Sequence, residues 1–582
     1  MKFSPLALVA ASAAATLSIC SPVSAFVVPS SIRRENCIVS TSTKLFESQE
    51  LWRVERVDQI SDWLTNGSTP KSYANPLSLK ENVPNSWFVE QNAAVAAKVD
   101  VDLQETVDDS CSLDDYDEEA QEPMMDCGDR GLNSEAFILA GPRKEIAFDP
   151  KDCKAAIVTC GGLCPGLNTV VREVVMCLRR QYGVTETLGV PAGYRGFKDP
   201  STWRDLDEKA VANLHNIGGS TLGSSRGGHD TEAIVDSLVE QGVNLLFVVG
   251  GDGTVRGAAK VAEEVKRRGL AIAVAVVPKT IDNDVPLLGK CLCSVSFFYS
   301  ETFHRIFSNA WIHSFAFFHS SDRTFGFETA VEAARKAINV AETEAEGFPF
   351  GLGVVKVMGR NSGFIAMHSA LGSGFADLCL VPEVEFELDP IVDHLYERLI
   401  ENNKAVVVVA EGAGQKLMAE MGANGEKVTD ASGNVLLDDI GPWLCQQLKK
   451  RIDAKLEVAD HNDNPHQDKV TLKYVDPSYM VRGVPPNTAD NLYCTQLAHN
   501  AVHGAMSGFS SFLVGSVNTR ECYIPINLVA NKRNVIDVRH QGMWEYVVFA
   551  TGQPSFQTEE DPRDDKDVIT TASGGIVLST TE

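Results

Sequence analysis

The chain has 582 residues, 44% hydrophobic and 22% charged, an ordinary globular composition long enough for two or more α/β domains with full cores. Its 52 Lys and Arg stand against 78 Asp and Glu, a net charge of −26, which argues against a non-specific binder of nucleic acid or of an anionic membrane. Half of that charge lies between Lys98 and Arg130, where 13 acidic residues stand without one Lys or Arg. The 14 cysteines are scattered, and no His cluster completes a zinc set beside Cys160 and Cys164 or Cys291 and Cys293. A reducing compartment follows.

Residues 1–25 read as a signal peptide: Lys2, an apolar Ala-rich core from Leu6 to Ile19, and Val23-Ser24-Ala25 as the cleavage site. The next stretch, to Leu45, is Ser/Thr-rich with Arg33, Arg34 and Lys44 and a single acid, Glu35, which is transit-peptide composition. Together with Phe26 after the cleavage site, the arrangement resembles the bipartite plastid presequence of algae with complex plastids. No other run is long and apolar enough to span a bilayer. Residues 46–135 are expected to hold a helix near 50–65 and then a polar, acidic and poorly ordered arm.

From about 150 strands and helices alternate. Ala155–Cys160 reads as a strand running into GGLCPGLN at 161–168 and a helix to Arg180. Leu245–Val249 ends in GGDGT at 250–254, with a helix to about Arg268. Ile272–Val277 ends in PKTIDND at 278–284, and Glu328–Glu346 is a long helix. Val354–Val357 ends in MGR at 358–360, and Val406–Val409 in EGAG at 411–414. This alternation predicts parallel sheets with right-handed crossovers. Ligands of such sheets sit beyond the carboxyl ends of the strands, where every one of these Gly-rich or charged clusters falls.

Each cluster suits phosphate chemistry. GGLCPGLN lets backbone N–H groups and a helix N-terminus approach an anion. GGDGT adds the carboxylate of Asp252, a hard oxygen ligand for Mg²⁺ beside a phosphate chain. PKTIDND offers Asp282 as a base for an alcohol, Asp284 to act through metal or water, and Lys279 for phosphate oxygens. Arg360, Lys473 and Arg482 are cations at or beside strand ends, suited to a sugar phosphate.

These motifs, with GYRGF at 193–197, GGSTLGSSRGG at 218–228, VVKVMGR at 354–360 and DPSYMVR at 476–482, resemble the 6-phosphofructokinases of the plant-like, ATP-dependent branch. The resemblance implies two Rossmann-like parallel-sheet domains, at 136–350 for ATP and 351–556 for the sugar phosphate, followed by a polar tail at 557–582. It implies ATP contacts at Gly161, Tyr194, Arg226, Gly227, Gly251, Asp252, Gly253 and Thr254, with Mg²⁺ on Asp252. Asp282 becomes the base, lined by Thr280 and Ile281, with Thr280 and Arg360 also catalytic. Met358, Gly359, Arg360, Glu411, Lys473, Tyr479, Met480, Val481 and Arg482 would hold fructose 6-phosphate. Lys473 falls where bacterial members place an Arg on the 6-phosphate. Gly351 falls where they have another Arg, donated across a subunit interface. A homo-oligomer follows from the resemblance, with no nucleic-acid or membrane partner. Pyrophosphate-dependent members carry Asp at the position of Gly253, where its side chain would exclude the α-phosphate of ATP; Gly253 therefore points to ATP.

One segment breaks the pattern. In the family, PKTIDND is followed within a few residues by an element like RTFGF, which here starts only at Arg323. The intervening residues are rich in Phe, Ser, His and Cys with no clean period. They are either a surface insertion, which would put an inactive or regulatory paralogue in play, or translated intron. Gly289-Lys290 can be encoded with a GUAAG donor and Ser321-Asp322 with a CAG acceptor, and removing 289–321 keeps the frame and leaves a family-like junction.

Overall fold

The computed structural model describes residues 53–64, 135–285, 323–422 and 436–459, residues 72–96 and 468–556 apart from scattered positions, and two strands at 568–570 and 575–579. The segment read as a presequence, the acidic run, the 289–321 segment and nearly all of the polar tail lie outside the described residues. None of the described helices is long and apolar enough to cross a membrane.

Two sheets organise the chain. The larger is mixed, and at its centre five strands lie parallel in the order Glu186–Val190, Lys154–Thr159, Leu245–Gly250, Ala273–Pro278, Phe512–Val517. Every residue of Leu245–Gly250, Ala273–Pro278 and Phe512–Val517 is buried, which is why these strands read as continuous apolar runs. The helices Leu167–Cys177, Asp252–Arg267 and Thr488–Met506 flank this sheet and bury their apolar stripes in its core. The chain leaves Lys154–Thr159 toward one side, to Glu186–Val190, and later returns on its other side as Leu245–Gly250. The reversal makes a crevice at the carboxyl ends of those two strands, where GGLCPGLN and GGDGT begin.

The smaller sheet is all parallel, in the order Leu378–Leu380, Lys404–Ala410, Gly351–Val357, Thr471–Val475. Its own apolar core includes Leu352, Leu395, Val407, Leu444 and Ile452. Here too the chain runs from Gly351–Val357 first to one side and then to the other, so MGR, EGAG and DPSY converge at one end.

Sheet pairing divides the chain differently from a linear boundary at 350/351. Phe512–Val517 and the antiparallel Arg520–Pro525 rejoin the larger sheet, because these apolar strands fill the edge that Ala273–Pro278 leaves open. The N-terminal arm also differs from expectation. Instead of a helix near 50–65 there is a strand, Arg53–Glu55, parallel to Glu135–Leu139, and a short 3₁₀ turn at Ile60–Asp62. Val57, Ile60 and Trp63 are buried; three apolar residues in a short segment serve an edge strand and turn as well as a helix.

Helix starts follow their caps. The Asp230 carboxylate accepts from the Ala233 N–H at 3.2 Å, and the Asn487 side chain from the Asp490 N–H at 3.0 Å. Buried Asp490 accepts at 2.8 Å from the N–H groups of Gly326 and Thr329, fixing the start of Phe327–Glu346.

Candidate active site

One side of the cluster is made by the turns after the two central strands of the larger sheet. Gly161 has φ +83°, where a side chain is strained, and a Cβ there would lie 3.6 Å from Lys279 Nζ. Its N–H donates to the Ser225 carbonyl at 3.1 Å, which draws the segment carrying Arg226 and Gly227 alongside. Gly250 is close-packed, a Cβ falling 2.5 Å from the Thr254 side chain, and at Gly251 it would meet the Lys279 carbonyl at 3.1 Å. Gly253 differs. Its backbone is ordinary and nothing lies within 4 Å of where its Cβ would be. The fold does not demand glycine there; the glycine leaves room.

Tyr194 packs against this turn. It is buried, and its hydroxyl donates to the Thr254 carbonyl at 2.8 Å. Asp252 opens the helix Asp252–Arg267, and its Oδ2 accepts from Arg533 Nε at 3.4 Å. Arg533 comes from the strand Lys532–Ile536, far along the chain, and sequence reasoning passed over it because no motif surrounds it.

The PKTIDND loop, after Ala273–Pro278, lies beside these turns. Its Lys279 N–H donates to the Gly250 carbonyl at 3.0 Å, and burial pulls the Lys279 ammonium below its ordinary pKa. The Thr280 hydroxyl donates to Asp284 Oδ1 at 2.6 Å and accepts from the Asp282 N–H at 3.2 Å. Asp282 Oδ1 is buried with no hydrogen-bond partner among the described residues. Burial first, then the charges of Asp284 and Glu411, push the Asp282 carboxyl well above the usual range, while the Arg360 N–H works the other way. Burial and Asp252 raise Asp284 to about 6.

The smaller sheet meets this loop directly. The Ser362 hydroxyl donates to the Asp282 carbonyl at 3.2 Å. Gly359, at φ +138°, and Gly412 lie back to back: the Gly412 N–H donates to the Gly359 carbonyl at 3.0 Å, and a Cβ on Gly412 would strike the Arg360 carbonyl at 1.9 Å. Glu411 is raised by burial and held down by Lys356, Arg360 and Arg482. Lys356, which sequence reasoning also missed, pairs with Asp439 and Asp476 at 2.9 Å each. In the turn Ser478–Arg482, Tyr479 and Met480 are exposed, Val481 is buried, and the Arg482 guanidinium sits 4.9 Å from the Tyr479 ring centroid. Ile281 is buried in the core. A Cβ on Gly218 would lie 2.2 Å from the Gly483 carbonyl, so this turn rests against the GGSTLGSSRGG loop.

Lys473 is not brought to this cluster. It sits beside Gly353, four residues before the strand end at Val357, with Nζ 3.5 Å from Glu344 and 3.9 Å from the Phe348 ring centroid. At Gly351 a side chain has no room, since a Cβ would meet the Ala345 carbonyl at 1.9 Å.

Among the described residues no three His, Cys, Asp or Glu side chains group to hold a metal by themselves. Mg²⁺ keeps waters and phosphate ligands and needs only one or two carboxylates from protein. Asp252, with one oxygen on Arg533, and the neighbouring Asp284 fit that requirement.

The sequence profile described as "Phosphofructokinase" matches residues 154–296 and 318–505, leaving 297–317 unmatched. The chain is 45% identical to ATP-dependent 6-phosphofructokinase 1 of Arabidopsis thaliana, over 73% of this chain and 80% of that protein. It is 44% identical to the chloroplastic ATP-dependent 6-phosphofructokinase 4 of the same plant, over 73% and 72%. Among solved structures, the pyrophosphate-dependent phosphofructokinase of Nitrosospira multiformis superposes with a TM-score of 0.50 at 17% identity, over 70% of this chain and 93% of that one; this likeness speaks for the fold alone. On the profile and the plant relatives together, the chain belongs to the phosphofructokinase family.

Proposed function

We propose that this chain is an ATP-dependent 6-phosphofructokinase, transferring the γ-phosphoryl group of ATP to the 1-hydroxyl of fructose 6-phosphate. The observation that carries the reading is Asp282: a carboxylate whose Oδ1 is buried and has no hydrogen-bond partner among the described residues, placed where the loops of both sheets meet. In this reading the 1-hydroxyl gives its proton to Asp282 Oδ1 as its oxygen attacks the γ-phosphorus, and ADP leaves. The raised carboxyl makes Asp282 a stronger base than an exposed aspartate once ionised. Lys279 and Arg360 would offset charge on the moving phosphoryl group. Thr280 holds the loop through Asp284, while Arg360 and Arg482, beside Glu411, suit the sugar and its phosphate. Asp252 and Asp284 would hold Mg²⁺, which when bound neutralises phosphate charge.

The open space at Gly253 supports ATP over pyrophosphate, as do the names of the plant relatives. Lys473 pairs in register with Gly353, two residues along the strand from Gly351, the position from which bacterial members reach across an interface; a homo-oligomer in which Lys473 serves a neighbouring subunit accounts for its separation from the cluster around Asp282. Import into a plastid is supported by presequence composition and by the chloroplastic name of one relative. The test is an assay of fructose 6-phosphate phosphorylation with ATP and pyrophosphate offered separately. Turnover with pyrophosphate alone, or with neither donor, would overturn the reading.

A further inference from the structure

The strand Lys532–Ile536 crosses the active site. Arg533 Nε bonds Asp252 Oδ2 at 3.4 Å, the Asn534 N–H donates to the Asp284 carbonyl at 2.8 Å, and the Ile536 N–H donates to Glu383 Oε1 at 3.0 Å. Glu383 follows the strand Leu378–Leu380 of the smaller sheet, and both its oxygens also accept from the Gly363 N–H at 3.0 Å, at the start of the helix Phe364–Ser373. Three successive anchors thus tie the strand to the GGDGT turn, the PKTIDND loop and the sugar-side sheet. They fix Arg533 against the carboxylate that opens the helix Asp252–Arg267.

The charge arithmetic gives that contact a purpose. Asp252 and Asp284 act on one another, and Arg533 acts on both. Two neighbouring carboxylates attract a bare divalent cation, but they repel a magnesium–nucleotide complex, which is itself an anion. A guanidinium fixed on one carboxylate oxygen cancels part of that charge, leaves the second oxygen for the metal, and can direct further N–H donors toward phosphate. The Arg533 side chain keeps 29% of its surface exposed, so it is not walled off from the cleft.

We infer that Arg533 is a positioning and selectivity residue of the donor site, holding Asp252 so that the site takes magnesium–nucleotide complex in preference to free cation. The inference rests on the assignment of Asp252 to the metal. Its test is direct binding on the full chain, by calorimetry with Mn²⁺ alone and with the magnesium complex of a non-hydrolysable ATP analogue. Arg533→Gln is expected to bind free Mn²⁺ about tenfold more tightly and the nucleotide complex about tenfold more weakly, roughly the loss of one charge-assisted hydrogen bond. Arg533→Met, which keeps the aliphatic stem, should show the same split, and Arg533→Lys should stay near the parent. Both affinities falling together, or neither moving, overturns the inference. Asp252→Asn separates the two layers. If it leaves Mn²⁺ and nucleotide binding intact, the metal assignment fails and the inference with it. If it weakens both while Arg533→Gln gives no split, the inference alone fails.

Discussion

The side-chain oxygen of Asn283 accepts a hydrogen bond from the backbone N–H of Thr324 at 2.9 Å, across 41 positions of sequence. The Thr324 hydroxyl donates to the same oxygen at 3.3 Å. The two flanks of the anomalous segment are therefore clasped at its base, directly beside Asp282.

From that clasp we predict that 289–321 is dispensable for the fold. Deleting it leaves Pro286, Leu287, Leu288 and Asp322 to join Val285 to Arg323, and four residues span the short gap between clasped ends. The family profile also breaks off within this stretch, at 297–317. The deleted chain is expected to fold with unchanged helix content and to phosphorylate fructose 6-phosphate at least as fast as the full chain. Sequencing cDNA across the junction gives the parallel test: transcripts that always retain the segment would sink the intron hypothesis.

Gly253 is the donor gate in this reading. Its Cβ position is open and its backbone ordinary, so Gly253→Asp should fold normally. The new carboxylate beside the α-phosphate should cut kcat/KM for ATP by at least about a hundredfold, the scale of a like-charge contact. An ATP kcat/KM equal to the parent's, with an unchanged melting temperature, contradicts the steric argument.

For the base, Asp282→Asn should lower kcat by about a hundredfold to ten-thousandfold with little change in KM for either substrate. Because burial, Asp284 and Glu411 raise the Asp282 carboxyl, the acid limb of kcat/KM should lie above the ordinary aspartate range. Glu411→Gln removes one of the raising charges. Its acid limb should move to lower pH, whatever happens to the KM for sugar; a limb that stays put or rises refutes the assignment.

Glu383 gives a prediction about stability. Burial raises its carboxyl to about 7, in spite of the N–H groups of Ile536 and Gly363. The folded state therefore binds a proton that the unfolded state releases near the ordinary glutamate value. Glu383 contributes a stabilisation that is full below that value and is lost as pH rises toward 7. Glu383→Gln should flatten the fall in melting temperature over that window. Parallel curves for variant and parent would disprove the linkage.

What the sequence determined by itself was local and periodic. The apolar runs specify buried parallel strands, and the motifs after them mark the carboxyl ends where ligands gather. Asp252, Asp282, Arg360 and Glu411 could be named because each stands in such a turn. Tertiary structure alone decided the rest. Arg533 reaches Asp252 from 281 residues away because the C-terminal strand is anchored on three separate loops, and no local pattern records such anchoring. Lys473 sits at a phosphate-binding position by motif, yet strand register sets it beside Gly353 with Glu344. Tyr194 reads as a nucleotide contact but spends its hydroxyl on the Thr254 carbonyl. Near-neighbour chemistry is written in spacing along the chain. Which distant charges meet, and which face of a motif stays open, depends on packing that only the folded chain carries out.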